Sequence, residues 1–240
     1  MINFSKHLFP PFCISCQKIT QNSADFYSYL CKECLEKIDI TEDYHCFSCH
    51  KLTPFGKTCK SCFKNFPING LVVAANYANP ILKDVIHFLK YRHIKDLSLP
   101  LSWLLLKKLE DFDWKNIREW IIVPVPLAKK RLHSRGFNQS ELTAQNLSKW
   151  LNIPTSSAII RRTKFTVPQM EIKNHDERIE NIKNSFKIVQ GINGSELEKE
   201  LKTRKILLVD DVSTTGATLL ECSKTIKPYV KEVWGCVIAK

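Results

Sequence analysis

Eight cysteines in the first 62 residues form four identical pairs: Cys13-x-x-Cys16, Cys31-x-x-Cys34, Cys46-x-x-Cys49 and Cys59-x-x-Cys62, separated by 14, 11 and 9 residues. A two-residue spacer lets one tight turn present two thiolates to a tetrahedral ion, and a second such turn closes the site. Eight thiolates suit two four-cysteine Zn²⁺ sites. Sequential grouping is simplest, with Cys13, Cys16, Cys31 and Cys34 on one ion and Cys46, Cys49, Cys59 and Cys62 on the other; an interleaved grouping uses the same ligands. Closed thiolate shells leave no position for water, so both zincs are expected to be structural, replacing a core that about 65 residues build poorly alone. His45 and His50 flank the third pair, but eight cysteines already saturate two ions, and both are expected on the surface.

The competing uses of the cysteines are an iron–sulfur cluster, against which the regular pairing favours zinc ribbons, and disulfides, for which compartment decides. The start, MINFSKHLFPPFC, has no apolar signal-peptide core. The most apolar run, Leu97 to Leu106, holds ten residues and an internal proline, against the roughly 20 a membrane span needs. A cytoplasmic protein with no membrane insertion is expected, where thiols stay reduced and bind metal.

Charge divides the chain at the same place. The net charge is +12, from 36 Lys+Arg and 24 Asp+Glu; residues 1–66 carry +2 of it and residues 67–240 carry +10. Eight thiolates on two dications take the first segment to about −2. The basic surface therefore belongs to the second segment, and its partner is acidic. An apolar fraction of 44% and a charged fraction of 25% exclude a disordered or collagen-like chain. The expected division is a zinc-binding domain at 1–66 and an α/β domain at 67–240.

Periodicity in the second segment alternates strands with helices. Apolar runs predict strands at 68–77, 121–125, 158–160, 185–189, 206–209 and 230–239. Helical spacing predicts helices over 80–91 (Ile81, Val85, Ile86 and Leu89 recurring), 97–109, 139–151 and 215–226, with another from about Asn174. Gly191 to Ser195 reads as a surface turn. Such alternation implies a mainly parallel sheet with helices on both faces. Cys236, in VWGCVIA, reads as an inert core thiol.

The most informative segment is Ile206-Leu-Leu-Val-Asp-Asp-Val-Ser-Thr-Thr-Gly-Ala-Thr218. Four apolar residues form a strand, two acids follow at its C-terminal end, and a small hydroxyl-rich turn opens a helix. Ligands of open α/β sheets bind outside the C-terminal strand ends. A helix N-terminus with threonine hydroxyls cradles an anion. Two acids beside it suit sugar hydroxyls or a bridging cation, so the residues read as a sugar-phosphate site.

This segment resembles the phosphoribosyl-pyrophosphate (PRPP) motif of type I phosphoribosyltransferases. The resemblance implies that Asp210 and Asp211 take the ribose hydroxyls, while Thr214, Thr215, Gly216, Ala217 and Thr218 wrap the 5′-phosphate. It also implies Mg²⁺ with PRPP. Val123-Pro-Val-Pro126 and the following LAKKRLHSRGFNQ read as a strand leading into a loop with Lys129, Lys130, Arg131 and Arg135; this resembles the pyrophosphate-binding loop of such enzymes, and its cations suit a diphosphate or the phosphates of a nucleic-acid strand. The stretch Arg161-Arg162-Thr163, Pro168-Gln169 and Arg178-x-x-Asn181 is expected to be the flexible loop over the site. The four cysteine pairs, LKYRHIKDL (89–97), VPVPLAKKRLHSRGFNQSEL (123–142), RRTKFTVPQ with RIENIKNSF, and LLVDDVSTTGATL together resemble the ComF-type competence proteins, a double zinc ribbon followed by a phosphoribosyltransferase-like domain. That family implies handling of incoming single-stranded DNA during natural transformation, with a competence helicase and a recombination mediator as partners.

Two readings of function stand side by side. In one, the PRPP site serves a DNA-handling protein by binding PRPP or a 5′-phosphoribosyl group. In the other, an active transferase moves ribose 5-phosphate from PRPP to a nitrogen acceptor. Purine-salvage relatives carry an acid as general base where this chain has Thr214, whose hydroxyl is a poor base; that removes one substrate class. The broad positive charge favours a long anionic polymer. Trp103, Trp114, Trp120 and Phe137 are candidate base-stacking groups, although aromatics more commonly belong to the core.

Overall fold

The computed structural model of this chain describes residues 11–20, 28–112, 114–163, 180–189 and 195–240. Gln169, Arg178, the helix expected near Asn174 and most of the turn expected at 191–195 lie outside them. The central sheet consists of β1 (Gly70–Ala75), β2 (Trp120–Pro124), β5 (Lys205–Val212) and β6 (Glu232–Ala239), all parallel, in the order β1-β6-β5-β2. A separate antiparallel ribbon pairs β3 (Ile160–Arg162) with β4 (Phe186–Ile188). The expectation of a mainly parallel α/β sheet behind a cysteine-rich segment is met.

A sheet covered on both faces needs strands apolar on both sides, and strict alternation distributes them. Val72, Ala74, Leu207, Val209, Cys236 and Ile238 join one core; their neighbours Leu71, Val73, Ile206, Leu208, Val233 and Val237 join the other. The first core is closed by α3 (Pro80–Tyr91), α4 (Ser98–Leu109) and α6 (Gln139–Leu151), the second by α8 (Ala217–Ile226) and the ribbon. The start of α3 is set locally: Pro80 takes its first turn and the Asn79 side chain accepts the Leu82 N–H at 3.1 Å. Leu82, Val85, Ile86 and Leu89 then face inward.

Three elements differ from expectation. The basic run expected as a loop is a helix, α5 (Lys129–Arg135), stopped by Gly136 at φ +71°. One leucine in seven residues gives no apolar period, yet nothing in KKRLHSR breaks a helix. A further helix, α7 (Glu196–Lys202), begins at Ser195, whose hydroxyl accepts the Glu198 N–H at 3.3 Å. Finally, β5 runs past the apolar residues through both acids, pairing Asp210 with Val237 and Val212 with Ala239.

The cysteine-rich segment contains two single-turn helices, α1 (Lys32–Leu35) and α2 (Lys60–Phe63). It covers the outer edge of β1: Ile40 bridges Ala75, Lys57 bridges Gly70, and the Thr41 N–H donates to the Ala74 carbonyl at 2.9 Å. That pairing blunts a sheet edge otherwise open to other chains. Cys13, Leu30, Cys34, Leu35 and Ile38 enter the same core as Leu82 and Val85. Buried Lys108 of α4 donates to the carbonyls of Thr41 and Glu42, and its Nζ lies 3.5 Å from the centroid of the Tyr44 ring. No helix among the described residues is long and apolar enough to cross a membrane.

Of the aromatics weighed for base stacking, Trp120 and Phe137 are buried. Trp114 and Trp120 belong to a ring cluster with Phe112 and Trp234. Cys236 is fully buried, and burial pushes its thiol far up, consistent with an inert core position.

Candidate functional site

The cysteines gather in the sequential grouping. Cys13, Cys16, Cys31 and Cys34 form one cluster and Cys46, Cys49, Cys59 and Cys62 the other, with all sulfurs of a cluster within 4.8 Å of one another. Cys16 and Cys31 Sγ are 3.7 Å apart, as are Cys49 and Cys59 Sγ. A disulfide needs about 2.05 Å. A tetrahedron of Zn–S bonds about 2.3 Å long has an edge of about 3.75 Å, so both clusters fit zinc. All ten cysteines are unbridged. Each cluster starts on a thiol suited to being a thiolate. Burial pushes Cys46 up, but the backbone N–H groups of Cys49, Cys59 and Ser48 outweigh it and bring the thiol down to about 6. Cys13 is brought to about 7 against burial by the N–H groups of Cys16, Cys31 and Ser15. His45 and His50 are exposed and belong to neither cluster.

At the C-terminal ends of the parallel strands lies a cleft of about 800 Å³. Its floor is the acid pair. Because the acids are adjacent on a strand, their side chains take different partners. Asp211 Oδ2 pairs with Lys90 Nζ of α3 at 2.7 Å, both side chains nearly buried. Asp210 Oδ1 accepts the Ser140 hydroxyl of α6 at 2.9 Å and the Asp211 N–H at 2.9 Å. Burial and then the adjacent Asp211 charge push the Asp210 carboxyl up to about 7; its two hydrogen bonds and Lys90 pull the other way without prevailing.

One wall is the turn after β5. Thr214 and Thr218 face the cleft. Thr215 Oγ1 accepts the Ala217 N–H at 3.3 Å, and Gly216, at φ +76°, caps α8. Gly216 and Ala217 are buried beneath this turn. The opposite wall is α5, which turns Arg131 and Arg135 into the cleft and leaves Lys129 and Lys130 exposed outside its lining. Arg135 is held in place: its guanidinium donates to Gln139 Oε1 at 3.1 Å and lies 5.3 Å from the centroid of Tyr91. Of the ribbon arginines, Arg162 lines the cleft while Arg161 points to solvent. Arg162 rests over the Phe186 ring, and burial followed by the nearby Arg131 charge lowers its proton affinity.

Sequence reasoning missed Lys90, Ser140, Tyr77, Tyr91 and His93, all in the cleft lining. The quoted stretches pointed toward four of them without giving them a role: Lys90, Tyr91 and His93 lie in LKYRHIKDL and Ser140 in the 123–142 stretch. The assembled cleft holds two acids at its floor and three arginines on its walls, beside a helix N-terminus. It can receive a polyanion with hydroxyls between its charges.

No family model matches this chain. It is 31% identical over 231 residues to competence protein F of Haemophilus influenzae, a match covering 88% of this chain and 97% of that protein. It is 36% identical over 173 residues to the DNA utilization protein YhgH of Escherichia coli, 70% of each chain. To competence protein ComFC of Bacillus subtilis it is 25% identical over 202 residues, 79% of this chain and 74% of that one.

Proposed function

The chain belongs to the competence protein F (ComF) family, and from that premise we propose that it handles single-stranded DNA during natural transformation through a site for a 5′-phosphoribosyl group. One observation carries the reading: a single cleft collects Asp210 and Asp211, Thr214 and Thr218, and Arg131, Arg135 and Arg162 from three separate stretches of chain. Acids on the floor with arginines on the walls suit a ribose flanked by phosphates. In this reading the two acids accept the ribose hydroxyls, and the Thr214–Thr218 turn takes the 5′-phosphate on its N–H groups and hydroxyls. Arg131 and Arg135 receive the pyrophosphate of PRPP or the next phosphates of a strand. Mg²⁺ accompanies PRPP as part of the ligand. The names of the relatives, competence protein and DNA utilization protein, support DNA as the polymer. The net charge of +12 supports it through counterion release, and Tyr77, Tyr91 and His93 offer rings on which bases can stack. A competence helicase and a recombination mediator are the partners this role calls for.

Calorimetry with Mg²⁺–PRPP tests the site. Saturable binding by the native chain, lost in Asp210→Ala/Asp211→Ala, is expected; unchanged binding in that variant sinks the assignment. Single-stranded oligonucleotides should bind with strong salt dependence and compete with PRPP. Steady pyrophosphate release with a panel of nitrogen acceptors would instead make the protein a transferase.

A further inference from the structure

Gly216, at the apex of the proposed 5′-phosphate turn, does not pack against its own domain alone. A Cβ placed there would lie 2.4 Å from Cζ and 2.5 Å from Cε2 of Phe47. Phe47 is the first residue inside the Cys46-x-x-Cys49 turn of the second cysteine cluster, and it is buried. Its ring lies in the same apolar cluster as Leu71, Ala217 and Leu219 and is 6.1 Å, centroid to centroid, from Phe66, just beyond Cys62. The turn carrying it is fixed around Cys46: the Cys46 N–H donates to the Lys51 carbonyl at 2.8 Å, the Cys46 carbonyl accepts the His50 N–H at 3.2 Å, and Cys46 Sγ accepts the Cys59 N–H at 3.4 Å. Four thiolates on one ion would set the backbone from which Phe47 projects. Among the described residues the first cluster makes no such link; it packs through Leu30, Leu35 and Ile38 into the other core.

We propose that Phe47 is a positioning residue that couples the second metal cluster to the 5′-phosphate turn, holding Gly216 in its left-handed conformation. The proposal rests on the phosphoribosyl reading for its ligand, but not for its mechanics. Gly216 has φ +76°, a conformation that glycine alone adopts cheaply. The closeness of the ring leaves the turn one arrangement while the ring is in place. Loss of the ring, or of the metal that aims it, frees the turn to rearrange. Coupling between two binding sites is reciprocal. Occupancy of the phosphate turn must therefore strengthen metal retention at the second cluster.

The test uses the zinc-loaded full chain with Phe47→Ala and Phe47→Leu, the second preserving apolar bulk if the first folds poorly. Amide exchange over residues 213–218 is measured without ligand, Mg²⁺–PRPP affinity by calorimetry, and zinc loss to a chromogenic chelator with and without PRPP. In Phe47→Ala, exchange over the turn should rise and affinity fall about tenfold, with Phe47→Leu between it and the native chain. PRPP should slow the loss of one of two zincs in the native chain, and this protection should shrink in Phe47→Ala. Unchanged turn exchange in a folded Phe47→Ala overturns the coupling. A native chain that ignores PRPP overturns the phosphoribosyl reading and leaves the exchange result to decide the coupling.

Discussion

Two adjacent carboxylates share the cleft floor, and the residues around them settle how that charge is tolerated. Lys90 neutralises Asp211, while Asp210 holds its proton up to about 7. Asp210 thus keeps a proton in the fold at pH values where the unfolded chain, with an ordinary carboxyl near 3.8, has lost it. The folded state binds more protons over that window, so this group's contribution to stability falls as pH rises from about 4 to 7 and levels off above. Asp210→Asn should match the native chain in stability at about pH 4 and exceed it increasingly up to pH 8, measured by denaturant midpoints; an equal difference at pH 4 and pH 8 would contradict the assignment. Because ribose hydroxyls donate best to an ionised Asp210, PRPP should bind more tightly as pH rises through 7, with proton release visible in calorimetry across buffers of different ionisation enthalpy. Lys90→Met strands Asp211 beside a second acid. Breaking such a nearly buried pair costs about 3 kcal/mol, and Lys90→Met/Asp211→Asn should recover part of that loss. The acids were legible in the sequence because they interrupt an apolar strand. Lys90 was not: on an amphipathic helix it occupies an ordinary polar position, and only the fold places that position against Asp211.

At the scale of elements, α5 turns a basic sequence run into two surfaces. Arg131 and Arg135 are four residues apart and share a helix face toward the cleft, while Lys129 and Lys130 stay in solvent. The four cations were expected to act together; the helix separates them. Arg135→Ala should weaken Mg²⁺–PRPP binding by about tenfold or more, since charge-assisted bonds are worth about 1.5–3 kcal/mol. Lys129→Ala/Lys130→Ala should leave PRPP affinity alone and lower the salt slope of oligonucleotide binding by about 1.4, or about 0.7 per single-strand phosphate contact. An unchanged slope would remove these lysines from the DNA path. The helix was illegible because a helix lying on the surface needs no apolar period, only uninterrupted residues and the left-handed stop at Gly136. Helix α7 was legible and missed: Ser195 and Glu198 have capping-box spacing ahead of it. Ser195→Ala should cost about 1 kcal/mol in thermal or denaturant unfolding.

Over the whole molecule, composition changes near residue 67, whereas packing does not stop there. The cysteine-rich segment pairs with the edge of β1, shares a core with α3, and is clasped by Lys108. The four cysteine pairs made the two sulfur clusters readable from spacing alone; the way those clusters press on the sheet depends on contacts between distant segments that no spacing encodes. Stripping both zincs with a strong chelator under reducing conditions should therefore lower the melting temperature of the sheet as well as unfold the cysteine segment. Circular dichroism and the fluorescence of the Trp114–Trp120 cluster should report the same downward shift. An unchanged sheet transition would show the two parts to be energetically independent.

The Phe47–Gly216 contact also imposes a schedule on the making of the protein. The two residues stand roughly 170 positions apart, so at about 5–20 residues per second on the ribosome the ring waits roughly 8 to 34 seconds for its glycine. During that interval the thiols beside it are exposed to oxidation unless an ion has already claimed them. Early metal capture would hand the finished turn to the last-made part of the sheet as a template.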